Sequence, residues 1–220
     1  MSVLPIRRVT AAASSMAEVL REELLSGEYA PGTPLSEGEL AGSRGVSAAT
    51  AREALGELAR EGLVVHSLHR GVEVARITQD DVRDIYAARR VFETAGLEML
   101  LRARPADVSW LEAATERMGE AAVAGDGRAL VEADLAFHLA IVAAAGSRRL
   151  TRAAQSALTE LRLVLSVADR AGDDLPALVA DHQYLVEVFR SAHQREAVNA
   201  LEDHLSRGEV MARRATSEPG

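Results

Sequence analysis

The residues with the clearest potential for chemistry are one aspartate and three histidines in the second part of the chain. Asp134 and His138 are four residues apart, so on a helix they project from the same face. His182 and His204 each lie among apolar residues at helical spacing. Three imidazoles and one carboxylate in a helical core would form a site suited to zinc, nickel, manganese or iron. Histidines on apolar helix faces are also often hydrogen-bonded core residues, so the spacing alone leaves both interpretations open.

Other signals for catalysis are few. The chain has no cysteine, which excludes disulfides, thiolate metal sites and a cysteine nucleophile. It also lacks a His-Glu-x-x-His motif, a Gly-x-Ser-x-Gly motif and a glycine-rich phosphate loop after a strand. We therefore assign no catalytic residue.

Helices must position the aspartate and the histidines. Residues 77–220 show almost continuous helical periodicity with short interruptions, which predicts an all-α antiparallel bundle. The expected helices are Gln79–Arg104, Ala106–Ala124, Arg128–Ala145, Arg148–Ala171, Leu175–Ser191 and Arg195–Ala215. The expected helix caps are Thr78 with Asp81, then Asp126, Ser147 and Asp174.

Residues 1–76 show a different pattern of short helices, turns and strands. The expected elements are a helix Ala11–Leu25, a loop Gly27–Pro34, a short helix after Ser36, a turn at Gly45-Val46, a helix from Ala48 to about Glu61, and strands Leu63–His66 and Val72–Ala75. This order is typical of a winged helix-turn-helix, although a small α+β domain without a nucleic-acid role has the same pattern. The whole chain is therefore expected to be mainly α, with domains 1–76 and 77–220.

The charge distribution limits how such a domain could bind DNA. The 220 residues carry a net charge of −8, and all 25 basic residues are arginine. Neither half of the chain is basic overall, so any nucleic-acid contact must come from a local patch. No apolar run approaches the length of a membrane span and no secretory signal is evident, so we expect a cytoplasmic protein with no membrane partner.

Two sets of residues resemble a known family. The first set is Pro31-Gly32, Leu35-Ser36-Glu37, Glu39-Leu40-Ala41, Gly45-Val46-Ser47, Arg52-Glu53-Ala54-Leu55, Leu58, Glu61-Gly62-Leu63-Val64 and Gly71-Val72-x-Val74. It resembles the DNA-binding domain of GntR-type bacterial transcription regulators. The second set is Arg89-x-x-x-Glu93, Asp134-x-x-x-His138, His182 and His204. It resembles the all-helical FCD ligand-binding domain of the FadR branch of that family.

The resemblance implies roles for residues of the second domain. It implies a divalent metal ion, with zinc, nickel or manganese favoured, bound by Asp134, His138, His182 and His204. It also implies a small organic acid as effector, with Arg89 as the partner of its carboxylate. Tyr184 and Arg162 are further candidates for the effector site.

The resemblance also implies contacts with DNA, and here the sequence departs from the family pattern. The segment after Gly45-Val46-Ser47 usually continues Arg-x-Pro-Val-Arg, but here the residues before Arg52 are Ala48, Ala49, Thr50 and Ala51. Base contacts are therefore assigned to Ala49, Thr50 and Arg52. Contacts with phosphates or groove edges are assigned to Arg44, Ser47, His69, Arg70 and Gly71. The family's common arginine between the two glutamates of the preceding helix is also replaced, by Gly38. Because two usual contact arginines are missing, either the operator differs from the family's or binding is weak.

Together these expectations describe a homodimeric transcription regulator, most simply a repressor, that binds double-stranded operator DNA and senses a small carboxylate at a metal site. One alternative is a metal-dependent hydrolase or isomerase acting on a small organic acid. Another is a metal-free regulator that stays on DNA as a constitutive dimer.

Overall fold

Helices predominate in the computed structural model, which describes residues 10–67, 71–102, 106–167, 175–191 and 193–216. A small sheet accompanies the helices in the N-terminal part. The chain divides into two compact units between Arg76 and Ile77. These features confirm the prediction of a mainly α protein with a winged helix-turn-helix. Among the described helices, none combines the length and apolar character that crossing a bilayer would require.

The first unit contains the helix-turn-helix. In chain order, its elements are α1 (Ala11–Leu25), β1 (Pro34–Leu35), α2 (Glu37–Arg44), α3 (Ala48–Arg60), β2 (Val64–Ser67) and β3 (Gly71–Val74). Ser36 Oγ caps α2 by accepting from the Glu39 N–H, and Ser47 Oγ caps α3 by accepting from the Thr50 N–H. Gly45 ends α2 at φ +65°, a left-handed conformation that glycine adopts without strain, so the chain can turn sharply into α3.

The sheet has the strand order β1-β3-β2 with antiparallel neighbours. The hairpin of β2 and β3 pairs Val64 with Val74 and Ser67 with Gly71, close to the strands predicted. The pairing of β1 with β3 was not predicted, because Pro34 was assigned to a loop. A two-residue strand is too short to show periodicity. Proline is tolerated in β1 because β1 lies at the edge of the sheet, where a missing N–H does not interrupt the hydrogen bonds between strands.

The second unit is a set of packed helices. They are α4 (Gln79–Leu100), α5 (Ser109–Ala124), α6 (Gly127–Ala143), α7 (Arg148–Val167), α8 (Leu175–Ser191) and α9 (Gln194–Ala215). Thr78 and Asp81 form a reciprocal capping box on α4, and Asp126 caps α6, both as predicted. α5 begins at Ser109 rather than Ala106, since Asp107 binds the N–H and hydroxyl of Ser109 ahead of the first turn. The expected cap Asp174 lies outside the described residues.

A close contact between α4 and α6 positions much of the functional site. A Cβ atom added to Gly96 of α4 would lie 2.0 Å from the backbone oxygen of Ile141 on α6, so only glycine permits this approach. The core beside it is built from several helices, with Leu97, Phe137, Phe189 and Leu201 at 1% exposure or less. The apolar faces therefore hold the inward-facing polar residues of α4 and α6 side by side.

Candidate metal centre and nucleic-acid interface

The aspartate and three histidines of the sequence analysis meet inside the helical unit. Asp134 and His138 lie on α6, His182 on α8 and His204 on α9. The ligand atoms of the three histidines lie within 4.8 Å of one another. All three rings are buried, and the Asp134 side chain is 15% exposed. We refer to these four residues as the ligand cluster.

The shortest contacts within the ligand cluster join Nε2 and carboxylate atoms. His138 Nε2 lies 3.3 Å from His204 Nε2. Asp134 Oδ1 lies 2.9 Å from His182 Nε2 and 3.9 Å from His138 Nε2. The 2.9 Å contact lacks the alignment of an N–H···O hydrogen bond, so His182 Nε2 is left without a hydrogen-bond partner. The three histidines therefore bring ligand atoms close together, with the Asp134 carboxylate beside two of them.

Hydrogen bonds behind two of the rings determine which nitrogen faces the cluster. His138 Nδ1 lies 2.7 Å from Glu93 Oε2, and His182 Nδ1 lies 2.8 Å from the backbone oxygen of Leu178. Each oxygen accepts a proton carried on Nδ1, which leaves a lone pair on Nε2. Histidines that bind metals usually donate their other ring N–H in this way.

The charge states of the cluster also suit a metal ion. Burial, together with the neighbouring imidazoles, lowers the pKa of His204 well below its ordinary value, and burial lowers the pKa of His138. Burial opposes ionisation of Asp134, but the neighbouring His182, His138 and Arg89 together outweigh that effect and lower the pKa of the carboxyl. Burial likewise opposes the charged form of His182, yet Asp134 raises the pKa of that ring. Neutral His138 and His204 beside an ionised Asp134 are the protonation states that metal binding requires.

The distances fit a single ion. Two ligand atoms that each lie about 2.0–2.2 Å from a metal ion are about 3–3.5 Å apart when adjacent. The contacts of 2.9 Å and 3.3 Å fall close to this range. The alternative of ordinary hydrogen-bonded core histidines fits less well, because His182 Nε2 and His204 Nδ1 are buried without hydrogen-bond partners. The donor set therefore fits a divalent cation.

A buried arginine and glutamate on α4 extend the site. Arg89 Nε donates to Glu93 Oε1 at 2.9 Å, and the other oxygen of Glu93 is the one that contacts His138. Both side chains are at least 95% buried, and the guanidinium carbon lies 4.6 Å from the centre of the Tyr86 ring. Arg89 Nη2 is buried without a hydrogen-bond partner, so the guanidinium retains a free donor.

The two other candidates for the effector site lie differently. Tyr184 is 55% exposed and is two residues from His182 on α8, which places it on another face of that helix. Arg162 of α7 forms an ion pair of 2.6 Å with Glu132 of α6. The exposure of Tyr184 and the ion pair of Arg162 with Glu132 give no support for an effector role, and we leave both residues out of the proposed site.

The start of α3 presents residues predicted to contact bases. Ala49 is exposed, Thr50 is half-buried, and Ser47 Oγ binds both the N–H and the hydroxyl of Thr50. The Arg52 side chain is 67% exposed and forms a two-pronged ion pair with Glu37 of α2. Its Nε lies 3.0 Å from Oε1 and its Nη2 lies 2.7 Å from Oε2. The guanidinium is therefore accessible but is held by a carboxylate.

The remaining predicted DNA contacts are Arg44, Gly71, His69 and Arg70. Arg44, at the end of α2, forms an ion pair with Glu23 of α1 and is 24% exposed. This contact links two helices, which gives Arg44 a structural role that competes with phosphate binding. Gly71 is exposed at the start of β3, with φ +78°. His69 and Arg70 lie outside the described residues.

The sequence analysis did not assign roles to Glu93, Tyr86 or Glu37. Tyr86, Arg89 and Glu93 are spaced three and four residues apart, which places them on one face of a helix. That spacing could have indicated a polar group facing the core. No local signal indicates that Glu93 contacts a histidine 45 residues away or that Glu37 contacts an arginine 15 residues away.

Comparison with known proteins bears on both units. The family described as bacterial regulatory proteins, gntR family, matches residues 12–74, and the FCD domain family matches residues 84–207. The FCD match covers more than half of the chain. It includes the whole ligand cluster together with Arg89 and Glu93.

Individual relatives agree with these matches. A protein of Paenarthrobacter nicotinovorans, named "Probable D-xylose utilization operon transcriptional repressor", is 27% identical over 90% of this chain and 87% of its own. An HTH-type transcriptional regulator from an unstable DNA locus of Streptomyces ambofaciens is 30% identical over 84% of this chain and 78% of its own. The solved structure of a GntR-type regulator from Rhodococcus sp. RHA1 has a TM-score of 0.82 at 29% identity, covering 92% of this chain and 98% of that one. This chain belongs to the GntR family of bacterial transcription regulators, in the branch whose second domain is an FCD domain.

Proposed function

We propose that this transcription regulator senses a small carboxylate through a divalent metal ion bound by Asp134, His138, His182 and His204. The observation that carries the proposal is the convergence of ligand atoms from three buried histidines, with a carboxylate oxygen of Asp134 beside two of them. Acceptor atoms that face one another away from water need a positive charge between them. His138 and His204 are held neutral and Asp134 is held ionised, so among the four residues only His182, whose pKa is raised by Asp134, would release a proton on binding a divalent ion.

The buried charges around the cluster favour an anionic effector. The positive charge of Arg89 and the negative charge of Glu93 cancel, and the single negative charge of Asp134 cancels only half the charge of a divalent ion. An excess positive charge therefore remains for a carboxylate to neutralise. Arg89 supplies the free Nη2 donor, and we assign it to one carboxylate oxygen. The metal ion, when bound, supplies a Lewis acid for the same carboxylate.

The first unit would bind double-stranded operator DNA with α3. We assign base contacts to Ala49, Thr50 and Arg52, and phosphate or groove contacts to Ser47, Gly71 and the adjacent residues His69 and Arg70. Two copies of the chain would bind the half-sites of a pseudo-palindromic operator. Effector binding would change operator affinity only to the extent that it favours one arrangement of the dimer over another. The name of the Paenarthrobacter relative supports repression as the direction of control.

Elemental analysis of protein purified without chelator tests the metal site. We expect one divalent ion per chain, with zinc, nickel or manganese as the candidates. His182→Ala should abolish retention of the ion because it removes one of four converging ligands. His193→Ala is the matched control, since His193 is an exposed histidine of the same unit. A wild-type protein that binds none of the three metals on reloading would refute the metal site and leave the DNA-binding assignment intact.

Thermal melting of the metal-loaded protein with a panel of small carboxylic acids tests the effector class. An acid that binds only the folded protein must raise the melting temperature. The same acid should release the protein from operator DNA. A panel that gives no shift would refute the carboxylate assignment, and conversion of the acid to a product would favour the alternative of a metal-dependent enzyme.

A further inference from the structure

We infer that Glu93 is a positioning residue that couples the metal site to the effector site, because its carboxylate contacts a metal ligand with one oxygen and the effector-binding arginine with the other. The inference rests on the proposed function and extends it to a residue that binds neither metal nor effector. Oε2 of Glu93 lies 2.7 Å from His138 Nδ1, and Oε1 lies 2.9 Å from Arg89 Nε.

The surroundings of Glu93 leave it little freedom to move. Its side chain is 2% exposed, and the side chains of Arg89 and His138 are 4% and 2% exposed. Arg89 is one turn earlier on α4, whereas His138 lies on α6. The contact of Gly96 with Ile141 holds these two helices together one turn beyond Glu93. Glu93 is therefore a fixed point from which both the imidazole and the guanidinium are oriented.

Toward the metal, Glu93 sets which nitrogen of His138 is available. Its carboxylate accepts the Nδ1 proton, so that the lone pair of His138 is on Nε2, 3.3 Å from His204 Nε2. A carboxylate behind the ring also makes the imidazole a stronger ligand. Loss of such a partner typically weakens metal binding by about 10–100-fold.

Toward the effector, Glu93 determines which guanidinium nitrogens remain free. It engages Nε of Arg89 and leaves Nη2, the nitrogen without a partner, for the ligand. Without Glu93, Arg89 would be a buried cation with no counter-ion and would have to move or draw in another anion. Any movement of the carboxylate toward one partner alters its contact with the other. The metal and the effector should therefore affect each other's binding through Glu93, and such coupling is reciprocal.

Zinc affinity of the full-length protein, measured by competition with a chromogenic chelator, tests the inference. Glu93→Gln keeps the size of the side chain but removes its charge, and we expect about 10–100-fold weaker Zn²⁺ binding. Glu98→Gln is the matched control because Glu98 is exposed on the same helix. The Co²⁺-loaded Glu93→Gln protein should also show an altered d–d absorption spectrum, which a change in stability alone would not produce.

A double-mutant cycle tests the coupling to Arg89. Arg89→Met should also weaken Zn²⁺ binding, although Arg89 is not a ligand, because it leaves the Glu93 carboxylate without its second partner. The effects of Glu93→Gln and Arg89→Met should then be non-additive, whereas independent residues would give additive effects. Additive effects, or a Glu93→Gln protein that binds Zn²⁺ as tightly as Glu98→Gln, would overturn the inference.

Nuclear magnetic resonance of the unaltered protein gives a test that does not depend on whether the variants fold. With ¹⁵N-labelled histidine and bound Zn²⁺, the His138 ring should carry its proton on Nδ1. A proton on Nε2 would overturn the role of Glu93. A wild-type protein that binds none of Zn²⁺, Ni²⁺ and Mn²⁺ would refute the proposed metal site itself, and this result is distinguishable from failure of this inference alone.

Discussion

At the scale of single residues, the DNA-binding surface depends on an arginine that is already engaged. Arg52 is exposed at the start of α3, and Glu37 of α2 holds its guanidinium by two contacts. An exposed ion pair of this kind contributes little to stability. Its main effect is on recognition, because the same guanidinium can bind either the carboxylate or a base edge.

Replacing Arg52 should weaken operator binding without unfolding the chain. We expect Arg52→Ala to cost about 1–3 kcal/mol, the range for one specific arginine–base contact. Fluorescence anisotropy at fixed salt, with an operator selected from random DNA by this protein, measures the change. Arg60→Ala removes the same charge from the far end of α3 and should have a smaller effect. Equal affinities for the Arg52→Ala protein and the wild type would exclude Arg52 from the contact surface.

Replacing Glu37 should have the opposite effect on affinity. Glu37→Gln removes a negative charge beside the DNA-binding surface and frees Arg52, so we expect tighter DNA binding at low salt. It should also reduce discrimination between operator and non-specific DNA, because Arg52 loses its fixed orientation. Glu39→Gln, in the same first turn of α2, changes the charge equally without affecting this ion pair and serves as the control. A Glu37→Gln protein that matches the control in both measurements would contradict the prediction.

At the scale of the elements, the contact of α4 with α6 connects packing to function. The two helices approach so closely at Gly96 that an added methyl group would overlap the backbone oxygen of Ile141. This approach places Glu93 within hydrogen-bond distance of His138. The integrity of the metal site therefore depends on a residue with no functional group.

Gly96→Ala should separate the two helices. We expect a destabilisation of about 1–3 kcal/mol, as for other overpacked positions, despite the better helix propensity of alanine. Metal affinity should fall as well, because Glu93 and His138 move apart. Chemical denaturation and Zn²⁺ titration measure the two effects. Gly119→Ala on α5 is the control: the nearest atom to its added carbon would be 4.0 Å away, so it should be neutral or stabilising. Wild-type stability and metal affinity in the Gly96→Ala protein would contradict this account.

At the scale of the whole molecule, the metal ion should contribute to the stability of the helical unit. The ligand cluster joins α6, α8 and α9, and Glu93 links it to α4. An ion that binds the folded chain at a free concentration of 100 times its Kd stabilises it by about 2.7 kcal/mol. Four helices would be held together by this one ion.

Removal of the metal should therefore lower the melting temperature. For a chain of this size we expect a decrease of about 5–10 °C after chelation, from a change of 2–4 °C per kcal/mol. Differential scanning calorimetry before and after chelation, followed by reloading with Zn²⁺, measures this shift. The His182→Ala protein should not respond to chelator. Melting temperatures that are the same with and without metal would mean that the cluster does not bind an ion in the folded protein.

Local patterns in the sequence account for most of the elements. The capping box of Thr78 and Asp81, the cap at Ser47 and the helical periodicity each act over a few residues, and each appears as predicted. The bounds of α1 and α8 also agree with the prediction. The short strand β1 was missed because its pairing with β3 depends on residues almost 40 positions away.

What the sequence by itself determined is most of the elements, the family and the four residues with ligand chemistry, since these depend on residue type and short-range spacing. Only the tertiary structure decided that the three histidines meet with Asp134 Oδ1 beside two of them, that Glu93 contacts His138 and Arg89 together, and that Tyr184 faces solvent. Periodicity places a residue on one face of a helix, but the atom that it contacts depends on how helices far apart in the chain pack. Here that packing depends on Gly96 of α4, whose importance no short-range pattern indicates.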